Sequence, residues 1–212
     1  MKRVESEELL DEQDAPREDM ERSLRDLRRI NKYLGGVSVY RSLVRPFAPR
    51  SIVDIGTGTS DLLESVPHVP LRIGVDFKID HLLYMRGDSR VHRIVGDARQ
   101  LPFRDGAVDL VTSSHFFHHF SPDENVGILA ESLRVARNVV VTDTRRHYAP
   151  LLFVLLLGAL RTVGRITRLD APASVRQGYT VNEAREVASR VRASGAKVVR
   201  RWPFRWVMLL TK

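Results

Sequence analysis

The sequence predicts an α/β fold, a doubly wound and mostly parallel sheet in one domain. Short apolar segments alternate with amphipathic ones at β–α spacing between residues 51 and 142. The first of these segments runs straight into a glycine-containing turn, Gly56-Thr57-Gly58. At 212 residues the chain suits a single domain that buries its core without cross-links, and it has no cysteine to form any.

The elements follow in order. Residues 1–17 are acidic and lack a period, so a flexible, frayed start is expected. From Glu18 to Leu34, apolar residues at Met20, Leu24, Leu27, Ile30 and Leu34 keep three- and four-residue steps, the mark of an amphipathic helix that Gly35-Gly36 ends. A second short helix is expected from Tyr40 to Phe47. Five strands follow, at Ser51–Ile55, Leu71–Asp76, Arg93–Asp97, Ala107–Ser113 and Asn138–Thr142. A helix from Asp61 to Glu64 separates the first two, and one carrying Ile128, Leu129, Leu133 and Ala136 precedes the fifth. The pattern breaks after Asp143. A helix at 150–163 and a loop from Leu169 to Gln177 are expected next. A helix from Val181 to Ser194 opens at a Thr180-x-x-Glu183 capping box and ends at Gly195. Two strands, Lys197–Arg201 and Phe204–Leu210, close the chain around Trp202-Pro203.

Charge and composition narrow the function classes. The formal charge is +8, and residues 148–212 hold 12 basic and 3 acidic residues, so the basic excess lies in the last third. Such a surface attracts nucleic acid, anionic lipid or an acidic substrate, or is simply a solvated arginine-rich face. The absence of cysteine excludes thiolate metal sites and a cysteine nucleophile, and fits a reducing cytoplasm, the expected location. No metal-ligand set is read. No secretory signal is visible at the start, and the longest apolar run, Leu151–Leu160, is too short to span about 30 Å of hydrocarbon.

The chemistry centres on Val53-Asp54-Ile55-Gly56-Thr57-Gly58-Thr59-Ser60-Asp61. A tight strand–helix turn needs glycine for positive φ or close backbone approach. A dinucleotide site would want a third glycine at position 61, where Asp61 stands instead and would repel a pyrophosphate. Asp76 ends the second strand, where a carboxylate can accept both hydroxyls of a ribose or merely cap the strand. Asp97-Ala98 ends the third strand, where a side-chain oxygen can meet an adenine amino group.

Taken in order, Val53–Asp61, Gly74–Asp76, Gly96-Asp97-Ala98 with Leu101-Pro102-Phe103, Val108-Asp109-Leu110-Val111 and Phe117-His118-His119-Phe120 resemble the class I methyltransferase family. The likeness is greatest to its small-molecule branch, called type 11 or UbiE-like, and is strong over about residues 50–145. It implies a Rossmann-like sheet of seven strands, the last antiparallel, and S-adenosylmethionine as cofactor. That cofactor has no phosphate and a cationic methionyl end, so carboxylates at Asp54 and Asp61 are compatible with it. On the resemblance, Gly56, Thr57 and Gly58 line the methionyl part, Asp76 and Phe77 hold the ribose and flank the adenine, Asp97 and Ala98 meet the adenine edge, and Ser113 and Ser114 lie under the sulfonium. Ser60 departs from the family, which usually has a third glycine there.

Methyl transfer is largely a matter of positioning, with a base useful when the acceptor is a hydroxyl. The ends of the fourth and fifth strands supply His115, His118, His119 and Asp143, and a pair of His118 or His119 with Asp143 is the candidate proton acceptor, or else a packing feature at a helix start. The chain then divides into a flexible start (1–17), N-terminal helices serving as a lid (18–47), the cofactor-binding core (48–147), a substrate-side insertion (148–180), and a final helix with strand hairpin (181–212). Leu151–Val163 is apolar nearly all round, so burial over the carboxyl end of the sheet is expected. An apolar roof of this kind selects a phenolic, polyketide or quinone-like acceptor for O- or C-methylation. Arg161, Arg165 and Arg168 beside it suggest peripheral membrane contact. Two other readings stand: an RNA methyltransferase using the basic last third, although no nucleic-acid partner is expected, and a non-catalytic cofactor-binding module.

Overall fold

The computed structural model describes residues 1–4, 6, 8–11, 16–84 and 90–212. Seven strands form one sheet in the order β3-β2-β1-β4-β5-β7-β6. They are β1 (Ser51–Ile55), β2 (Leu71–Asp76), β3 (Val91–Val95), β4 (Val108–Ser114), β5 (Ala136–Thr144), β6 (Gly195–Arg201) and β7 (Arg205–Thr211). β1 to β5 pair in parallel, and β7 runs antiparallel to both β5 and β6. This is the seven-stranded Rossmann-like arrangement expected from the sequence.

Consecutive apolar residues in the central strands serve opposite faces, since successive side chains alternate. Ile52, Leu110 and Val140 meet Tyr40 and Val44 of α2 (Gly36–Val44) and Leu62 and Leu63 of α3 (Asp61–Glu64). Val53, Val111, Val139 and Val141 meet Ile128, Leu129 and Leu133 of α5 (Pro122–Val135) and Ala184 and Val187 of α8 (Val181–Ser189). A slip of one residue in any strand would exchange the two faces, so burial on both sides fixes the register.

Local chemistry sets several boundaries. Both α5 and α8 begin with reciprocal capping boxes, Ser121 with Glu124 and Thr180 with Glu183, and the second is the one read from the sequence. α2 begins earlier than expected, α8 ends before Ser194, and α4 (Ile79–Leu83) was not anticipated. The expected loop over 169–177 is instead helix: α7 spans Arg165–Gln177 with Pro172 inside it. Proline removes one backbone hydrogen bond, but Ile166, Thr167, Asp170, Val175 and Gln177 are buried, and this packing outweighs the break.

The described part of the start, expected to be flexible, makes specific contacts. Residues 5, 7 and 12–15 lie outside the described residues. The rest of the segment runs against α7: the Asp170 carboxylate accepts from the backbone N–H of Leu9 at 3.0 Å and of Leu10 at 2.9 Å. Arg3 donates to the carbonyls of Gln177 and Phe120 at 2.8 and 2.7 Å.

α6 (Tyr148–Ala159) corrects another expectation. Only Pro150 and Gly158 of this apolar helix are buried. Phe153, Val154 and Leu157 face an internal cavity, Gly158 packs on Arg168 of α7, and the opposite side of the helix faces outward.

β1 pairs with β2 on one side and β4 on the other, so the chain leaves the sheet centre in opposite directions. A crevice opens beyond the carboxyl ends of the strands at such a reversal. α1 (Arg17–Tyr33), α6 and α7 stand around it.

Candidate functional site

The turn after β1 carries three left-handed residues, Gly56 (φ 64°), Gly58 (φ 52°) and Ser60 (φ 55°). A Cβ on Gly56 would sit 2.2 Å from the Phe116 ring, so close approach demands glycine there. A Cβ on Gly58 would meet nothing within 4 Å, which leaves its backbone open to a ligand. Ser60 holds the conformation that suits glycine, with its hydroxyl 2.9 Å from that of Thr57.

Asp76 pins this turn. One carboxylate oxygen accepts from Gly58 N at 2.8 Å and the other from Lys78 N at 2.9 Å. Each oxygen keeps another lone pair for a hydroxyl. Asp54 lies buried beneath the turn and accepts from the Thr112 hydroxyl at 2.6 Å. Burial, assisted by the nearby Asp61 and Asp76 charges, pushes its carboxyl up to about 7 against the Thr112 hydrogen bond.

The adenine-side residues diverge from expectation in part. Phe77 stands 73% exposed at the cavity wall and Ala98 is buried against it. The Asp97 carboxylate is already gripped by Arg99, whose Nε and Nη2 donate at 3.0 and 2.8 Å and hold it below the usual carboxylate range. Ser114 lines the cavity, whereas Ser113 is buried and spends its hydroxyl on the Ile55 carbonyl at 3.1 Å.

The acceptor end is built on a buried charge cluster. The His118 ring sits 2.8 Å from Asp143 through Nδ1 and 3.5 Å from Glu8 through Nε2. Although burial opposes a charged ring, the two carboxylates push the imidazole up to about 10. The two carboxylates thus favour the protonated ring, and the geometry makes His118 the link between Asp143 and Glu8. Asp143 is fully buried, does not line the cavity, and is drawn down to about 2 by His118 despite its burial. His119 faces the cavity with its ring stacked 4.2 Å from that of His118. Among the described residues, Glu8, His118 and His119 form a trio whose ligand-type atoms lie within 4.8 Å of one another.

One contributor, Glu8, carried little signal in the sequence, whereas His115 was read with the histidines after the fourth strand. Glu8 sits in an acidic stretch without a period, and only the fold brings it to His118, with Ser174 donating to it at 2.6 Å. His115 accepts from Arg205 at 3.2 Å and pairs with Thr144 at 3.1 Å, and burial with the Arg205 charge pushes it down to about 3.

These features share one cavity of about 510 Å³. The glycine turn, Asp76 and Phe77 line one part of it. Leu24, Leu27 and Ile30 of α1, with Phe153, Leu157 and Phe204, add apolar side chains to the lining of the same cavity. Tyr33, at the end of α1 within the segment expected as a lid, is exposed.

Residues 52–138 match the family model described as a methyltransferase domain. The chain is 32% identical over 120 residues to the demethylmenaquinone methyltransferase of Roseiflexus sp. (strain RS-1), a match covering 52% of this chain and 50% of that protein. It is 36% identical over 97 residues to the demethylmenaquinone methyltransferase of Thermus thermophilus, covering 42% and 43%. The chain thus spans about half the length of these curated relatives, or less. A SAM dependent methyltransferase from Aquifex aeolicus superposes with a TM-score of 0.65 at 16% identity, covering 88% of this chain and 95% of that one. Human N-acetylserotonin methyltransferase, solved in complex with SAM, gives 0.65 at 12%, covering 89% and 54%. The shared fold is that of the class I methyltransferases.

The charge cluster makes a spectroscopic prediction. The folded value of His118 lies above its unfolded 6.5, so its contribution to stability is complete below pH 6.5 and fades as pH rises through about 10. Ring ¹⁵N chemical shifts should show His118 as imidazolium throughout pH 6–8, and Asp143→Asn should restore a neutral ring within that range. A wild-type midpoint near 6.5 would contradict the buried pairing.

Proposed function

We propose that this chain, whose residues 52–138 match a methyltransferase-domain model, transfers a methyl group from S-adenosylmethionine to a small apolar or aromatic acceptor. The acceptor class is phenolic, polyketide or quinone-like, methylated on oxygen or carbon. The observation that carries the reading is the continuity of one cavity from the polar glycine turn to an apolar chamber.

The residues present fit the cofactor. Gly58 leaves backbone open where a ligand can lie, Asp76 is an anchored carboxylate with acceptor capacity left over, and Phe77 offers an exposed ring face at the wall. Gly56, Thr57 and Gly58 would hold the methionyl part, Asp76 the ribose, and Phe77 with Ala98 the adenine. Asp97 would reach the adenine amino group only by sharing its carboxylate with Arg99. When bound, the cofactor supplies an electrophilic methyl on a sulfonium.

The chain's own contribution is placement and proton handling. The apolar wall excludes water and orients a ring-shaped acceptor, and holding the reactants in line supplies most of the acceleration. For a hydroxyl acceptor, His119 on this wall is the group placed to take the proton, while Glu8, despite its burial, is held below the usual carboxylate range by His118 and Ser174. His118 and Asp143 act as positioning residues that hold Glu8 at the chamber.

Two experiments test this. Asp54 ionises near pH 7 when buried, and a cationic ligand favours its charged form. Calorimetry should therefore show affinity for S-adenosylmethionine rising with pH through about 7, falling by up to about tenfold per unit below it, and Asp54→Asn should flatten the dependence. Affinity independent of pH in the wild type would remove Asp54 from the site. Separately, labelled cofactor should be offered with phenols, lipid-like quinols, fatty acids, transfer RNA and peptides. Label is expected in phenols or quinols. Label in RNA or protein with none in apolar small molecules would overturn the acceptor class, and cofactor binding without any turnover would favour a non-catalytic module.

A further inference from the structure

We infer that the outer face of α6 is a docking surface for an anionic lipid bilayer, placing the apolar chamber directly behind the membrane-facing helix. No helix among the described residues is long and apolar enough to cross a membrane, so the contact is one of lying on the surface.

The two faces of α6 carry the argument. Tyr148, Leu152, Leu155 and Leu156 repeat at helical spacing and point outward with Leu160 just beyond, Leu152 being 66% and Leu156 56% exposed. Phe153, Val154 and Leu157, on the opposite face, line the cavity. A helix standing at a water-exposed surface normally shows polar residues on its outer side, and past Tyr148 this one shows none. One helix therefore separates the chamber from an exposed apolar patch.

The surroundings select the partner. Residues 148–169 contain Arg161, Arg165 and Arg168 and no acidic residue. All three arginines are exposed, and Arg165 lies 3.8 Å from Asp19. Trp202, 80% exposed, stands beside α6 by way of two rings on the cavity side of that helix: its centroid lies 5.7 Å from that of Phe204, which lies 5.6 Å from Phe153. Apolar side chains flanked by arginine and by an exposed tryptophan match the layered chemistry of an anionic bilayer surface, hydrocarbon below and phosphates above. A second copy of this chain fits less well, because both copies carry the same basic excess, with three arginines and no acidic residue over 148–169.

Trp202 also provides the readout, since the other tryptophan, Trp206, is buried at 1% exposure. The intact chain should be mixed with vesicles of phosphatidylcholine alone and with vesicles containing phosphatidylglycerol, then followed by flotation and tryptophan emission. Flotation with the anionic vesicles and a blue shift are expected, both weakening as salt rises. The double variant Leu152→Asp, Leu156→Asp alters only outward side chains, so thermal melting and cofactor binding should persist while vesicle affinity falls by about a hundredfold. Arg161→Glu with Arg168→Glu should lower it by at least about twentyfold. Absence of vesicle binding, or binding that the aspartate variant retains, would overturn the proposal. So would a concentration-dependent dimer that shields Trp202 and is broken by the same variant, which would make a second copy the occupant. None of these readouts needs turnover, so failure here is separable from failure of the proposed methyl transfer.

Discussion

The site depends first on a single carboxylate that accepts two backbone amides. Asp76, at the end of β2, takes Gly58 N from the loop after β1 and Lys78 N from the loop after β2, at 2.8 and 2.9 Å. Hydrogen bonds to a charged group contribute about 1.5–3 kcal/mol each, enough to fix both loops relative to the sheet. The neighbouring backbone is shaped to the same end. Thr57 N donates to the Val75 carbonyl at 3.1 Å, extending the β1–β2 pairing into the turn. Gly74 must lack a side chain because a Cβ there would lie 2.7 Å from Thr57 Cγ2 and 2.8 Å from Ser60 Oγ. The turn thus settles onto β2, and its open backbone faces the crevice.

Burial has opposite consequences at the two ends of the cavity. Asp54 has neutral hydroxyl partners and like charges nearby, so desolvation wins and its carboxyl rises to about 7. Asp143 is equally buried but touches an imidazolium and accepts backbone N–H groups from His118 and Thr144, so pairing wins and it falls to about 2. A carboxylate near neutrality at the cofactor end and a fixed ion cluster at the acceptor end suit different tasks. The first can adapt its charge to a cationic ligand. The second is held in fixed geometry by paired charges, with His118 bridging Asp143 and Glu8.

Much of this was legible in the sequence, and the parts that were not have physical reasons. β1 and β2 were read residue for residue, because fully buried parallel strands bounded by glycine and aspartate leave a sharp signature. The capping box at Thr180 and Glu183 is likewise local chemistry. α7 was not legible, because Pro172 signals a break and only tertiary packing overrides it. The outward face of α6 was missed because composition cannot tell a buried apolar helix from one that lines a cavity on one side and is uncovered on the other. Within the site, Asp76 and the glycines were placed by motif, whereas Glu8 reaches His118 across more than a hundred residues and Arg99 takes Asp97 through a side-chain choice that no spacing reveals.

The central claim is that the amide-anchored carboxylate of Asp76 is the ribose acceptor of a crevice that opens into the apolar chamber. A crystal structure of the chain with S-adenosylhomocysteine tests it most directly. Both ribose hydroxyls should lie at about 2.6–2.9 Å from the Asp76 oxygens, with the bonds to Gly58 N and Lys78 N retained and the sulfur directed toward the Phe153 and Phe204 wall. A nucleoside bound elsewhere, or an Asp76 still turned to its amides with no hydroxyl in reach, would contradict the account.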